Sequence, residues 1–305
     1  YSTFPKNEYF ICFSENLIGQ LKQIGKIRTA ETYTTTLNSF RRFMHSRKKN
    51  SDIPFDKIDS SLMMEYEQYL KFHDICPNSS SYYMRNLRAI YNRAVEKELV
   101  IQRYPFKYVY TGIDKTVKRA VSAEIIRQIR DLDLSHTPSL EYARDLFMFS
   151  FYTRGMSFVD MAYLKKSNLQ NGFLSYCRKK TNQRLLIKWE KPMQEIIDKY
   201  DTSNTPYLLP IIKNILKDNR GQYKNAIRLM NTKLKTIGML IGLPIPLTTY
   251  VARHAWASIA RSKNVQISTI SEAMGHDSES TTRIYLASLD TSIVDEANSL
   301  IIQTL

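Results

Sequence analysis

Residues 248–286 read TTYVARHAWASIARSKNVQISTISEAMGHDSESTTRIYL. Tyr250, Arg253 and His254 open a helix here, and side chains three apart on a helix share a face. A further helical run ends at Met274-Gly275-His276, and Tyr285 lies nine positions past that histidine (285 − 276 = 9), behind Thr281, Thr282 and Arg283. The whole chain has only five histidines. Taken alone, the segment is a helix, a helix end, a polar loop and another helix; the rest of the chain decides what His276 and Tyr285 do.

The chain of 305 residues is long enough for one large or two medium domains, and 43% hydrophobic residues supply a core. Its net charge of +15 is the unusual quantity. Residues 1–117 carry 18 Lys and Arg against 12 Asp and Glu, and residues 118–305 carry 26 against 17. Both halves are basic and both have folded composition, as expected of a protein that wraps a polyanion. Cys12, Cys76 and Cys177 are odd in number and widely spaced, which speaks against a disulfide framework or a zinc site. The pattern holds no G-x-x-x-x-G-K-[ST] loop and no His/Cys/Asp cluster with metal spacing, so ATPase and metallonuclease chemistry lose support and no cofactor or metal is expected. No apolar run approaches the roughly 20 residues that cross a bilayer. The cysteine usage fits a reducing cytoplasm. A chain that begins at Tyr1 reads as a fragment, with room upstream for a further domain.

Phe13, Leu17, Ile18, Leu21 and Ile24 predict a helix ending near Gly25. Thr29 then reads as the cap of a second helix, with Tyr33, Leu37, Phe40 and Phe43 on one face. A third starts near Ser60, and a fourth, capped at Ser79 or Ser80, carries Arg85, Arg88 and Arg93. The segment 103–118, with its proline, glycine and lysines, reads as a linker. It separates a helical domain at 1–102 from a second at 119–305, where an apolar helix over 139–156 precedes a β-hairpin. The hairpin shows in GFLSYCRKKTNQRLLIKW, residues 172–189, where apolar and polar residues alternate on both sides of a basic turn. The fold class is therefore mainly α with a small β-sheet.

Arg253-His254, Met274-Gly275-His276, Thr281-Thr282 and Tyr285 resemble the C-terminal box of the tyrosine recombinase (phage integrase) family. That box runs H-x-x-R-H, then L-G-H, then a nucleophilic tyrosine. Upstream, TVKRAVSAEIIRQI is similar to the opening of that family's catalytic domain, FMFSFYTRGMSFVDMAYLKKSNL to its first arginine box, and Lys180-Thr181 to its lysine element. Residues 8–100 look like its four-helix, SAM-like core-binding domain, and RGMSFVDMA is similar to integrases of Bacteroides-type mobile elements. The resemblance implies a site-specific recombinase that closes its two domains around double-stranded DNA as a clamp and works as a homo-tetramer on synapsed sites. It also leaves room for an upstream domain that binds accessory arm sites.

On that resemblance Tyr285 attacks phosphorus, Arg253 clamps the phosphate, Lys180 is general acid to the leaving oxygen, and His276 hydrogen-bonds the phosphate. Lys180 is preferred to Lys179 because it directly precedes the threonine, as in the family. Two positions depart from the pattern. Ser157 stands where the family has its first arginine, and Tyr250 where it has its first histidine. Arg154, three residues before Ser157, is the expected substitute guanidinium; the alternative is that Arg154 pairs with Asp160 or the DNA backbone. These departures keep two other readings open: a DNA-binding regulator with a degraded site, and a relaxase like the type IB topoisomerases. Val294, Ala297, Leu300 and Ile301 form an apolar stripe expected to dock on a neighbouring protomer.

Overall fold

The computed structural model describes residues 9–47, 52–114, 120–286, 298–299 and 301–303, with Ile284 and Tyr285 described in backbone only. The chain divides into two compact units, Tyr1–Thr116 and Val117–Leu305.

In the first unit, α1 (Phe10–Gln23), α2 (Ile27–Ser46), α3 (Ser60–Phe72) and α4 (Pro77–Glu96) close over one apolar core. Its centre is aromatic: Phe10 meets Phe40 and Phe55 edge to face at 5.7 and 5.6 Å, and Phe40 meets Tyr66 at 5.3 Å. No side chain near its own start caps α1. Asp52 does so from forty residues away, its two oxygens accepting the N–H groups of Ile11 and Cys12 at 2.7 Å each.

Three expectations are corrected in this unit. The second helix begins at Ile27, not after Thr29, because Gly25 (φ +77°) turns the chain left-handed and Lys26 N–H closes onto Leu21 O at 2.9 Å. The fourth begins at Pro77 behind Cys76, a proline at the first position fitting where an N–H has no partner, and Ser80 and Ser81 are buried inside it. The segment read as a linker from 103 packs onto this unit as far as 114. Phe106 and Val109 lie in its core, Tyr110 N–H donates to Glu67 Oε1 (2.8 Å), and Asp114 N–H donates to Asn78 Oδ1 (2.8 Å). Two apolar residues separated by a turn give no periodicity, so their burial is invisible in the sequence.

The second unit is built on α6 (Pro138–Tyr152), buried by Leu140, Ala143, Leu146, Phe147 and Phe149. Against it pack α5 (Ala123–Asp131), α8 (Lys191–Asp198), α9 (Asn219–Leu240) and α10 (Thr249–Ser262). Short α7 (Phe158–Ala162) leads to an antiparallel sheet of β1 (Leu169–Gln170), β2 (Phe173–Cys177) and β3 (Arg184–Lys188), with Leu174 opposite Ile187 and Tyr176 opposite Leu185. The hairpin is where alternation places it; β1, two residues long, is too short to leave a pattern. α11 (Ile267–Ala273) and α12 (Glu279–Leu286) complete the described fold. The stripe at Val294, Ala297 and Leu300 lies outside the described residues, and Ile301 is exposed. Among the described residues no helix is long and apolar enough to cross a membrane, and no three His, Cys, Asp or Glu side chains group as metal ligands.

Candidate active site

Val251, Ala252 and Ala255 sink one face of α10 into the core and carry Arg253 with them, to 3% exposure. A buried guanidinium is costly unless acceptors surround it. Here Nη1 donates to Gly155 O (2.8 Å), and Nη2 donates to Met274 O (2.5 Å) and His276 Nε2 (3.0 Å). One side chain thus ties together the turn after α6, the end of α11 and the histidine that follows it.

Arg253 also settles the chemistry of His276. A guanidinium can only donate, so Nε2 accepts, the ring hydrogen sits on Nδ1, and Nδ1 donates to Thr282 Oγ1 at 2.8 Å. Burial first, then the charges of Arg253, Arg178 and Lys180, push the His276 pKa down from 6.5 to about 3. His276 is therefore neutral in the folded protein at any ordinary pH. Between pH 6.5 and about 3 the unfolded chain binds a proton here that the folded chain refuses. This group's contribution to stability is whole above pH 6.5 and is lost as pH falls through that window. Urea unfolding at pH 7 and pH 4.5 should show a smaller loss of stability for His276→Gln than for the parent; equal losses would contradict the assignment.

The hairpin supplies the next cations. Asp160, buried on α7, accepts Lys179 N–H (2.8 Å) on one oxygen and Ser157 Oγ–H (2.6 Å) on the other, fastening the hairpin to the turn that carries Arg154. With both oxygens so engaged, Asp160 leaves Ser157 tied to the protein instead of turned outward. Both lysines are exposed, but the Lys179 ammonium lies over the Tyr163 ring at 4.1 Å, whereas the charge of Lys180 reaches His276. Of the two lysines, Lys180 is the one electrically joined to the buried cluster.

Arg154 holds a left-handed backbone (φ +60°) directly before Gly155. Burial, then Asp160, pushes the Tyr176 phenol above its usual range, and the charges of Arg253, Arg178 and Arg154 oppose that shift. Arg154 therefore stands within electrostatic reach of the same cluster. Arg178 is a functional candidate the sequence reading missed: it is 6% exposed, and Nη1 donates to Gly275 O, which also accepts from Thr181 Oγ1 (3.2 Å). The alternation of β2 carried the signal, since Arg178 continues the inward parity of Leu174 and Tyr176. Tyr250, half exposed, stands one turn before Arg253 with its ring 4.5 Å from that of His254. Tyr285 lies on α12, and its side chain is outside what is described.

Residues 9–112 match the Phage integrase SAM-like domain family. The tyrosine recombinase XerC of Rickettsia bellii (strain OSU 85-389) is 26% identical over 267 residues, covering 84% of this chain and 85% of the relative. Over most of its length the chain is thus similar to tyrosine recombinases, and its first unit to the SAM-like domain of phage integrases. Among solved structures, the XerH site-specific recombinase in a post-cleavage complex with palindromic difH substrate superposes with a TM-score of 0.66 at 17% identity, over 92% of this chain and 84% of that one. A lambda integrase tetramer bound to a Holliday junction gives 0.62 at 14% identity, over 85% and 72%. At these identities the likeness is one of fold. Arg253 and His276 meet directly, and Lys180 on the hairpin lies within electrostatic reach of that histidine. Two further cations, Arg154 on the α6–α7 turn and Arg178 on the hairpin, act electrostatically on Tyr176 together with Arg253.

Proposed function

We propose that this recombinase cuts and rejoins duplex DNA at specific sites through a 3′-phosphotyrosine at Tyr285. The buried contact of Arg253 with His276, beside a hairpin lysine and ahead of the helix bearing Tyr285, is the observation that carries the reading. The Tyr285 oxygen bonds to phosphorus as its proton leaves to water, the bond to the 5′ oxygen breaks, and Lys180 protonates that oxygen. A second 5′-hydroxyl reverses the step. Phosphoester energy is kept throughout, so neither nucleotide nor metal is consumed.

Arg253 and Arg154 are the assigned phosphate clamps, since guanidinium groups keep their charge and grip two oxygens at once. Arg154→Ala should slow cleavage by about a hundredfold, the scale of losing one oxyanion donor, with little change in duplex affinity. Cleavage at the parent's rate would transfer the role to Arg178. Tyr250, a poor base near neutral pH, is assigned a phosphate hydrogen bond and no proton abstraction. Surplus positive charge in both units supports double-stranded DNA as partner. The lambda tetramer supports a homo-tetramer on synapsed sites, and action on chromosomal DNA implies a cytoplasmic, nucleoid-associated location.

The test is a nicked duplex carrying the element's flanking sequence, run on a denaturing gel after incubation. A protein–DNA adduct is expected. A regulator with a degraded site would bind the duplex and trap none, and a monomer that relaxes supercoils without synapsis would be a relaxase.

A further inference from the structure

Thr282 has no part in the chemistry above, yet it is fully buried and its Oγ1 lies 2.8 Å from His276 Nδ1. It sits on α12, three positions before Tyr285. With Arg253 donating to Nε2 at 3.0 Å, the ring hydrogen is committed to Nδ1, and His276 has nothing to donate from Nε2. A phosphoryl oxygen arriving beside Arg253 is also an acceptor and requires a hydrogen on Nε2. A carboxylate or carbonyl at Nδ1 would hold the hydrogen there in every state. A hydroxyl either accepts or donates, by rotating its own hydrogen.

We propose, resting on the recombinase reading of this site, that Thr282 is a positioning residue that lets His276 exchange tautomers. While the protein's own acceptors hold Arg253, Thr282 Oγ1 accepts from Nδ1. When a phosphate takes Arg253, the hydroxyl turns to donate to Nδ1, and Nε2–H donates to a phosphoryl oxygen. The ring carries one hydrogen in both states: a proton leaves Nδ1 for water and one arrives at Nε2 from water, with no change of charge. The groups facing the ring are cations, Arg253 on α10 and Arg178 and Lys180 on the hairpin; they disfavour a protonated ring and leave tautomer exchange as the available change. Because Thr282 belongs to α12, the partner is present only when that helix is seated, so the nucleophile's helix and the phosphate's histidine are set together.

The experiment measures adduct formation on the nicked duplex for Thr282→Val and Thr282→Ser, each in the parent and in His276→Ala, with duplex affinity and Tm alongside. Valine keeps the shape and removes the hydroxyl; it should slow adduct formation by about ten- to a hundredfold, as for a buried group left unpaired, at unchanged affinity. Serine should restore the rate, and valine should cost nothing further once His276 is alanine. Serine as slow as valine, an equal loss in the His276→Ala background, or valine at the parent's rate would each overturn the proposal. Ring ¹⁵N shifts of His276 in the unmutated protein test it without any variant: the hydrogen should move from Nδ1 to Nε2 when duplex binds, and a hydrogen on the same nitrogen in both states overturns it. Failure of the parent to form any adduct would instead remove the recombinase reading itself.

Discussion

Tyr285→Phe is expected to bind duplex DNA as the parent does and to form no covalent adduct, with strand exchange reduced by about 10⁴-fold or more, the scale of deleting a nucleophile. The change removes one oxygen and keeps the ring, so packing of α12 is disturbed as little as a substitution allows. On the proposed mechanism that oxygen bonds to phosphorus and leaves a product that a second 5′-hydroxyl can reverse. An aliphatic alkoxide is a far poorer leaving group than a phenolate, so Tyr285→Ser should not rescue exchange. Adduct yield on a denaturing gel, paired with a binding isotherm on the same duplex, separates loss of chemistry from loss of binding. Adduct from the phenylalanine variant at the parent's rate would mean that the nucleophile lies elsewhere.

Gly155→Ala is expected to be the most damaging small substitution in the second unit. Gly155 has φ +73°, where an L side chain costs about 1 kcal/mol. A Cβ there would also lie 2.7 Å from Arg253 Cα, 2.9 Å from its Cγ and 3.0 Å from its Cβ. The nearest of these is a backbone atom of a buried helix, which cannot swing aside. The α6–α7 turn would have to draw back from α10, lengthening the 2.8 Å bond from Arg253 to Gly155 O and loosening the guanidinium that holds His276. A loss of about 2–4 kcal/mol by urea unfolding follows, combining backbone strain with overpacking, and cleavage should fall by at least about tenfold. Gly172→Ala is the control: its φ is +75°, nearly the same, but nothing lies within 4 Å of the added carbon. If the two variants lose equal stability, the close approach of Arg253 is not what requires glycine at 155.

Part of the candidate site is legible in the sequence. The resemblance to the tyrosine recombinases singled out Arg253, His276, Tyr285 and Lys180, and the structure joins the first two; the hairpin that carries Lys180 is plain in the alternation of Phe173–Cys177 and Arg184–Lys188. Gly25 marked the end of α1, and Phe40 and Phe43 marked the buried face of α2. Helix starts were less legible. Thr29 has the chemistry of a cap, but a turn closed by the backbone of Gly25 and Lys26 made a side-chain cap unnecessary.

What the chain determined by itself, then, is whatever repeats locally: the helices, the hairpin, a basic charge in both halves, and an arginine, histidine and tyrosine at intervals matching one kind of chemistry. Which partner each of those groups meets was decided by tertiary structure. Arg253 reaches a carbonyl 98 residues away, Arg178 one 97 residues away, and Asp52 caps a helix from 40 residues off. Such pairs leave no periodic trace because each depends on one side chain meeting one backbone group after the core has closed. For the same reason Arg178 drew no notice, and Phe106 and Val109 passed for part of a linker: burial is conferred by what packs on top, and that comes from elsewhere in the chain.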